Sequence, residues 1–239
     1  MPALTLTSQH GIATITFDTE GASVNTFSRA VQDEFTALFE RLARDVTIVG
    51  AVLISGKPDS FIVGADIEEF LTWTTAEQGE AASRAGHALL DVLERHRVPV
   101  VAAIHGACMG GGLEATLACA YRVATEHPKT VLALPEVQLG IFPGAGGTQR
   151  LPRTVGLQAA LDMILTGKTV RARKAAQMGL VHEIVHPAIL HQIAAQRARA
   201  RSPRACARGI RRRDAAASAP SCSKTIRSVA RCSCGRHAR

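Results

Sequence analysis

Two stretches of this chain are apolar almost without interruption, and each is only as long as one strand. They are Ile48-Val49-Gly50-Ala51-Val52-Leu53-Ile54 and Val98-Pro99-Val100-Val101-Ala102-Ala103-Ile104. Neither approaches the 18 or so residues of a membrane-spanning helix. An apolar run without polar alternation reads as a strand covered on both faces, and such strands need helices above and below the sheet. The surrounding patterns supply them. Leu4-Thr5-Leu6-Thr7, the turn Gln9-His10-Gly11 and Ile12-Ala13-Thr14-Ile15-Thr16-Phe17 read as a hairpin. Ser28 can cap a helix with Val31, Phe35, Leu38, Phe39 and Leu42 on one face. A loop over residues 55–66 leads to a helical start at Ile67-Glu68-Glu69-Phe70 and a longer helix over residues 75–95.

The second half repeats the theme. A glycine-rich turn follows the 98–104 run and opens a helix over residues 113–119. Strand-like segments at 121–124 and 131–134 flank a polar turn, helices are predicted near 158–165 and 172–178, and residues 180–185 close with a short strand. Repeated strand–strand–helix units predict a mixed α/β core.

The charge is unevenly distributed. The chain has 239 residues, a net charge of +8 and 46% hydrophobic residues. Residues 197–239 hold 12 Arg, one Lys and one Asp, whereas residues 1–196 hold 15 basic and 19 acidic side chains. The last 43 residues also carry four of the six cysteines and have neither Leu nor an aromatic residue. The expected division is therefore a folded body, 1–196, and a basic, disordered tail, 197–239. The body is large enough to need neither disulfides nor a metal. The first basic residue is Arg29, which predicts no signal or transit peptide and a cytoplasmic location.

Several motifs fail on their context. His182-Glu183-Ile184-Val185-His186 has the H-e-x-x-h spacing of a zinc helix, but Pro187 follows and the segment is β-branched. On a strand, residues four apart are too distant to share one ion. No metal site is expected. Gly167-Lys168-Thr169 lacks the upstream glycine of a phosphate loop, since Asp162 stands there, and Gly144-Ala145-Gly146-Gly147 does not complete a dinucleotide fingerprint.

The strongest local signal is His105-Gly106-Ala107-Cys108-Met109-Gly110-Gly111-Gly112-Leu113-Glu114, between a buried strand and a helix. Glycines there let backbone approach a ligand, and free N–H groups at a helix start can hold an oxyanion. Taken alone, the segment can equally be a tight packing turn with Glu114 favoured by the helix dipole. Glu136, in Leu134-Pro135-Glu136-Val137, can be a solvated loop carboxylate, and Asp66, in Gly64-Ala65-Asp66-Ile67, can be a helix N-cap.

In ordered combination, these segments and Pro143-Gly144-Ala145-Gly146-Gly147-Thr148-Gln149-Arg150-Leu151-Pro152 resemble the enoyl-CoA hydratase/isomerase (crotonase) superfamily. The resemblance covers residues 4–195 and is strongest to the amino-terminal domain of multifunctional fatty-acid oxidation alpha subunits. It implies a crotonase-like spiral of ββα units, with the carboxy-terminal helices missing or replaced here. It further implies an acyl-CoA thioester substrate, with the carbonyl on the backbone N–H groups of Ala65 and Gly111. Glu114 and Glu136 match the two catalytic acids, and Gly64, Asp66, Gly110, Gly112, Pro143 and Gly144 match substrate contacts. The activity implied is hydration of 2-trans-enoyl-CoA to 3-hydroxyacyl-CoA in fatty-acid β-oxidation, with 3-enoyl-CoA isomerisation as a side activity. Members that only isomerise often lack the first acid, which is present here.

The resemblance implies no cofactor, because coenzyme A arrives with the substrate, and no dinucleotide loop calls for NAD. With an intact carboxy-terminal part, it implies assembly with further copies or with a thiolase beta subunit. Beyond residue 196 the expected final helices are not legible, and the Arg/Ala/Ser/Cys composition fits a shifted reading frame or a genuine basic tail. The alternatives are another crotonase-type acyl-CoA reaction and a truncated, impaired acyl-CoA-binding remnant. A nucleic-acid binder acting through its tail ranks last, since residues 197–239 offer no stacking aromatics.

Overall fold

The computed structural model describes residues 2–202. The chain opens with β1 (Leu4–Gln9) and β2 (Ile12–Phe17), then α1 (Arg29–Arg44), β3 (Gly50–Ser55), β4 (Ser60–Val63), α2 (Ile67–Phe70) and α3 (Ala76–Arg95). Next come β5 (Val100–Ile104), β6 (Ala107–Met109), α4 (Gly111–Ala118), β7 (Tyr121–Thr125) and β8 (Val131–Ala133). A 3-10 turn at Glu136–Leu139 leads to α5 (Gly147–Val155), α6 (Leu157–Thr166), β9 (Val170–Arg171), α7 (Ala172–Gln177), β10 (Glu183–Val185) and α8 (Leu190–Ala200).

Two sheets organise these elements. The larger runs β1-β2-β3-β5-β7-β10 and the smaller β4-β6-β8-β9. Among the described residues, only the β1–β2 and β8–β9 pairs are antiparallel. Three successive parallel strands of the first sheet hand the chain to a short strand of the second: β3 to β4, β5 to β6, β7 to β8. This is the repeated ββ unit of the expected spiral. It also explains why β7 and β8 do not form a hairpin, although only the five residues 126–130 separate them.

Several expectations hold in detail. The hairpin registers Leu4 against Phe17 and Gln9 against Ile12. Ser28 caps α1 by accepting from Val31 N, and Val31, Phe35, Leu38, Phe39 and Leu42 are all buried. The strand at 183–185 pairs parallel with β7, so the His182–His186 segment is not a helix.

The carboxy-terminal boundary needs correction. Helix α8 runs through residue 196 without a break and ends at Ala200. Its Leu190, Ala194 and Ala198 cover the second face of the large sheet, against Ile12, Val52, Val101, Ala103, Val123 and Val185. Ala198 is fully buried, and a Cβ added at Gly50 would stand 2.8 Å from its carbonyl carbon. Arg197 makes a two-pronged contact with Glu183 at 2.7 and 3.0 Å, and the Arg201 guanidinium lies 3.7 Å from the Tyr121 ring centroid. Residues 197–202 therefore belong to the folded body. The remainder of the expected tail, 203–239, lies outside the described residues.

Candidate active site

The expected carbonyl cradle, the amides of Ala65 and Gly111, lies where two strands of the small sheet end. β4 and β6 run parallel, with Val63 opposite Met109, so both chains leave the sheet side by side. Gly64 and Gly110 then turn with φ of +91° and +53°. At Gly110 the accompanying ψ of −130° lies outside the conformations open to other L-residues, which explains the glycine there. The turns bring the amides together: a Cβ built on Gly111 would lie 3.6 Å from Ala65 N. Gly111 is the first residue of α4, so its N–H has no partner inside the helix. Beside it, Phe27 N donates to Gly64 O and Asp66 N to Phe27 O, a pairing that does not use the Ala65 N–H. Buried Asn25 anchors this segment from behind. Its backbone carbonyl accepts from Val63 N, and its side-chain amide donates to Phe17 O and Ser55 Oγ.

Glu114 stands in the first turn of α4 with 3% of its surface exposed. Its Oε1 accepts from Ala145 N at 2.9 Å and from Gly147 N at 2.7 Å. Gly147 begins α5, so the carboxylate sits at the positive end of that helix. Burial pushes Glu114 above the ordinary carboxylate range, opposed by the two amides and by the charges of His87 and Arg150. Glu136 opens the 3-10 turn after β8 and is 8% exposed. Its Oε1 lies 3.2 Å from where a Cβ on Gly110 would be, while Oε2 is buried with no hydrogen-bond partner. Burial pushes Glu136 up to about 7; its own backbone N–H opposes this and the Glu114 charge adds to it. A partnerless buried carboxyl oxygen is costly and makes Glu136 a candidate for chemistry.

The remaining expected contacts divide. Gly64 and Gly110 line the cradle. Gly112 does not: a Cβ there would fall 2.2 Å from Ile62 O, so this glycine lets α4 pack on β4. Asp66 is the N-cap of α2, accepting from Glu68 N at 3.0 Å, which is the plainer of its two expected roles. Pro143 is buried, and with Gly144 it frames the loop whose amides hold Glu114.

Sequence reasoning missed the groups that fix that loop. Ser83 Oγ donates to Gly144 O at 2.6 Å, and Arg150 Nη1 donates to Ala145 O at 3.1 Å. Arg150 is itself buried and paired with Asp91 at 2.7 Å and Glu94 at 2.9 Å. Asp91 and Glu94 lie on α3 among charges that read as a solvated face, so no local pattern marks them.

Comparison with known proteins decides the family. The family model described as enoyl-CoA hydratase/isomerase matches residues 7–217. The chain belongs to this family. The match continues past residue 195, where the sequence resemblance was expected to end. A curated relative, the fatty acid oxidation complex subunit alpha of Shewanella sp. (strain MR-4), is 50% identical over 190 residues, covering 80% of this chain and 27% of that protein. The chain thus spans about a quarter of the length of the curated relatives it matches. Among solved structures, an enoyl-CoA hydratase from Bacillus anthracis aligns with a TM-score of 0.76 at 31% identity, over 82% of this chain and 75% of that one. Pseudomonas aeruginosa DspI aligns with a TM-score of 0.79 at 33% identity, over 91% and 88%. The fold is that of the crotonase family. Among the described residues, no helix is long and apolar enough to cross a membrane.

Proposed function

We propose that this member of the enoyl-CoA hydratase/isomerase family hydrates 2-trans-enoyl-CoA thioesters to 3-hydroxyacyl-CoA. The observation that carries the reading is the convergence of two buried carboxyls, Glu114 and Glu136, beside the paired amides of Ala65 and Gly111. The amides would accept the thioester oxygen as negative charge moves onto it. A single donor of this kind contributes about 2.7–4 kcal/mol in the transition state. Both amide bonds of Glu114 go to Oε1, which leaves Oε2 to orient water and take its proton during attack at C3. Glu136, raised to about 7, holds the proton that passes to C2. One proton must then pass from Glu114 to Glu136 to restore the pair. Coenzyme A enters as part of the substrate, and the chemistry calls for no cofactor. Assembly with further copies, or with a thiolase subunit as in a fatty-acid oxidation complex, belongs to the same proposal.

The raised Glu136 supports isomerisation of 3-enoyl-CoA as a second activity, because its ionised form can move a proton between C2 and C4. The two reactions need opposite forms of one group, which gives a test with a definite sign. Hydration requires protonated Glu136 and falls as pH rises through about 7, whereas isomerisation requires the carboxylate and rises over the same interval. Hydration also falls on the acid side, as Glu114 protonates, and the two limbs belong to the coupled pair. Measuring kcat/KM for crotonyl-CoA and for a 3-enoyl-CoA against pH checks this. Parallel profiles for both substrates would contradict the assigned roles.

A further inference from the structure

Glu114 is held by backbone amides, and what holds those amides is visible. The Gly144 carbonyl and the Ala145 N–H are the two ends of one planar peptide group. Ser83 Oγ, projecting from α3, donates to the carbonyl end at 2.6 Å, and the N–H end donates to Glu114 Oε1 at 2.9 Å. A donor on the carbonyl also polarises the N–H at the other end, so hydrogen bonds in such a chain strengthen one another. The next carbonyl along, that of Ala145, accepts from Arg150, whose guanidinium is tied to Asp91 and Glu94 of α3. The loop is gripped on its carbonyl side by α3 and α5 and presents its N–H side to the carboxylate.

We propose that Ser83 is a positioning residue for Glu114, acting through the Gly144–Ala145 peptide group, with Arg150 fixing the adjacent carbonyl. Ser83 touches neither substrate nor the reacting atoms. It sets where the Glu114 carboxylate stands and how strongly its ionised form is held. The proposal rests on the reading of Glu114 as the base that activates water. The charged groups facing Glu114 are His87 from α3, Arg150 from α5 and Glu136 from the turn after β8. None of these is altered by a change at Ser83.

The test is Ser83→Ala in the full chain, with crotonyl-CoA hydration followed against pH. The expected loss in kcat is about 3- to 10-fold, the kinetic equivalent of one neutral hydrogen bond, with KM little changed. The acid limb of the profile moves to higher pH, because weaker amide donation favours protonated Glu114. Ser83→Thr, which keeps a hydroxyl, recovers most of the loss. In a Glu114→Gln background, Ser83→Ala produces no comparable further loss, because the group it positions is gone. A second readout does not depend on turnover. In substrate-free protein carrying carboxyl-13C glutamate, the resonance that Glu114→Gln removes titrates at higher pH in Ser83→Ala than in wild type. If wild type does not hydrate crotonyl-CoA but this titration shifts, the hydratase reading fails and the clamp on Glu114 stands. An unshifted titration, or equal losses from Ser83→Ala with and without Glu114, overturns the proposal and leaves Ser83 a packing residue.

Discussion

Replacing Glu136 with glutamine lowers the hydration kcat by about 10²–10⁴-fold and at the same time makes the fold more stable at mildly alkaline pH. Both effects come from the same atoms. Glu136 is 8% exposed, and its Oε2 has no hydrogen-bond partner. Such a carboxyl binds its proton more tightly folded than unfolded, with its pKa raised from an ordinary 4.5 to about 7. A carboxyl whose folded pKa exceeds its unfolded value costs stability as pH rises through that interval, and the cost is fully present above the folded pKa. Glutamine removes the ionisation and with it the cost. The difference in Tm between Glu136→Gln and wild type should therefore be small near pH 4.5 and grow toward pH 8, with the variant the more stable. Thermal melts of the two proteins across that range check it. A variant less stable than wild type at every pH would show Glu136 to be a structural group. Isomerisation should be lost along with hydration, since both use this carboxyl.

Truncation before Arg197 should lower Tm by about 5–10 °C relative to a chain that ends at Ser202. The first cut removes the last turn of α8, with fully buried Ala198 wedged against Gly50. It also deletes Arg197 with its contact to Glu183, and Arg201 with its contact to the Tyr121 ring. Opening that corner exposes the apolar face of β3, β5 and β7, which α8 alone covers among the clustered contacts. Losing packed side chains and leaving a void costs more than the transfer of the deleted atoms alone. Comparing the chain that ends at Ser202 with the full chain measures the contribution of residues 203–239. If the cut before Arg197 left Tm unchanged, α8 would not be the cover of the large sheet.

The boundary at residue 196 shows what composition hides. α8 packs through Leu190, Ala194 and Ala198, an i, i+4, i+8 face made mostly of alanine, while alanine also stands at Ala195 and Ala200 among Gln and Arg. With so little hydropathy contrast, the helix blends into the Arg- and Ala-rich residues that follow. α1, by contrast, was legible in its start and its buried face, because Phe and Leu mark the face and Ser28 marks the start. Three strands were missed: β4 and β6, with four and three residues, are each followed at once by a glycine and read as loop and turn, and β9 has only two residues. α5 was missed because it begins at a glycine and carries Pro152.

The site was legible in a similarly uneven way. Ordered motifs singled out Glu114, Glu136 and the two glycine turns, and the structure brings these together. What the motifs could not express is the role of backbone. The amides of Ala145 and Gly147 are donors that any residue but proline carries, so no side chain there advertises the Glu114 contact. Ser83 and Gly144 are 61 positions apart and meet only because α3 and the 143–147 loop fold together. Gly112 illustrates the reverse: a motif glycine expected at the substrate has a packing reason of its own, the close approach of α4 to β4.

The central claim is that Glu114 and Glu136 act as one unit on an enoyl thioester. Initial rates of crotonyl-CoA hydration by the full chain, Glu114→Gln, Glu136→Gln and the double variant test it most directly. The account predicts turnover by wild type and a loss of at least about 10²-fold in each single variant. The double variant should fall only a few-fold further, because residues acting as a unit are far from multiplicative. Hydration that survives Glu114→Gln at the wild-type rate, or single losses that multiply in the double variant, would contradict it.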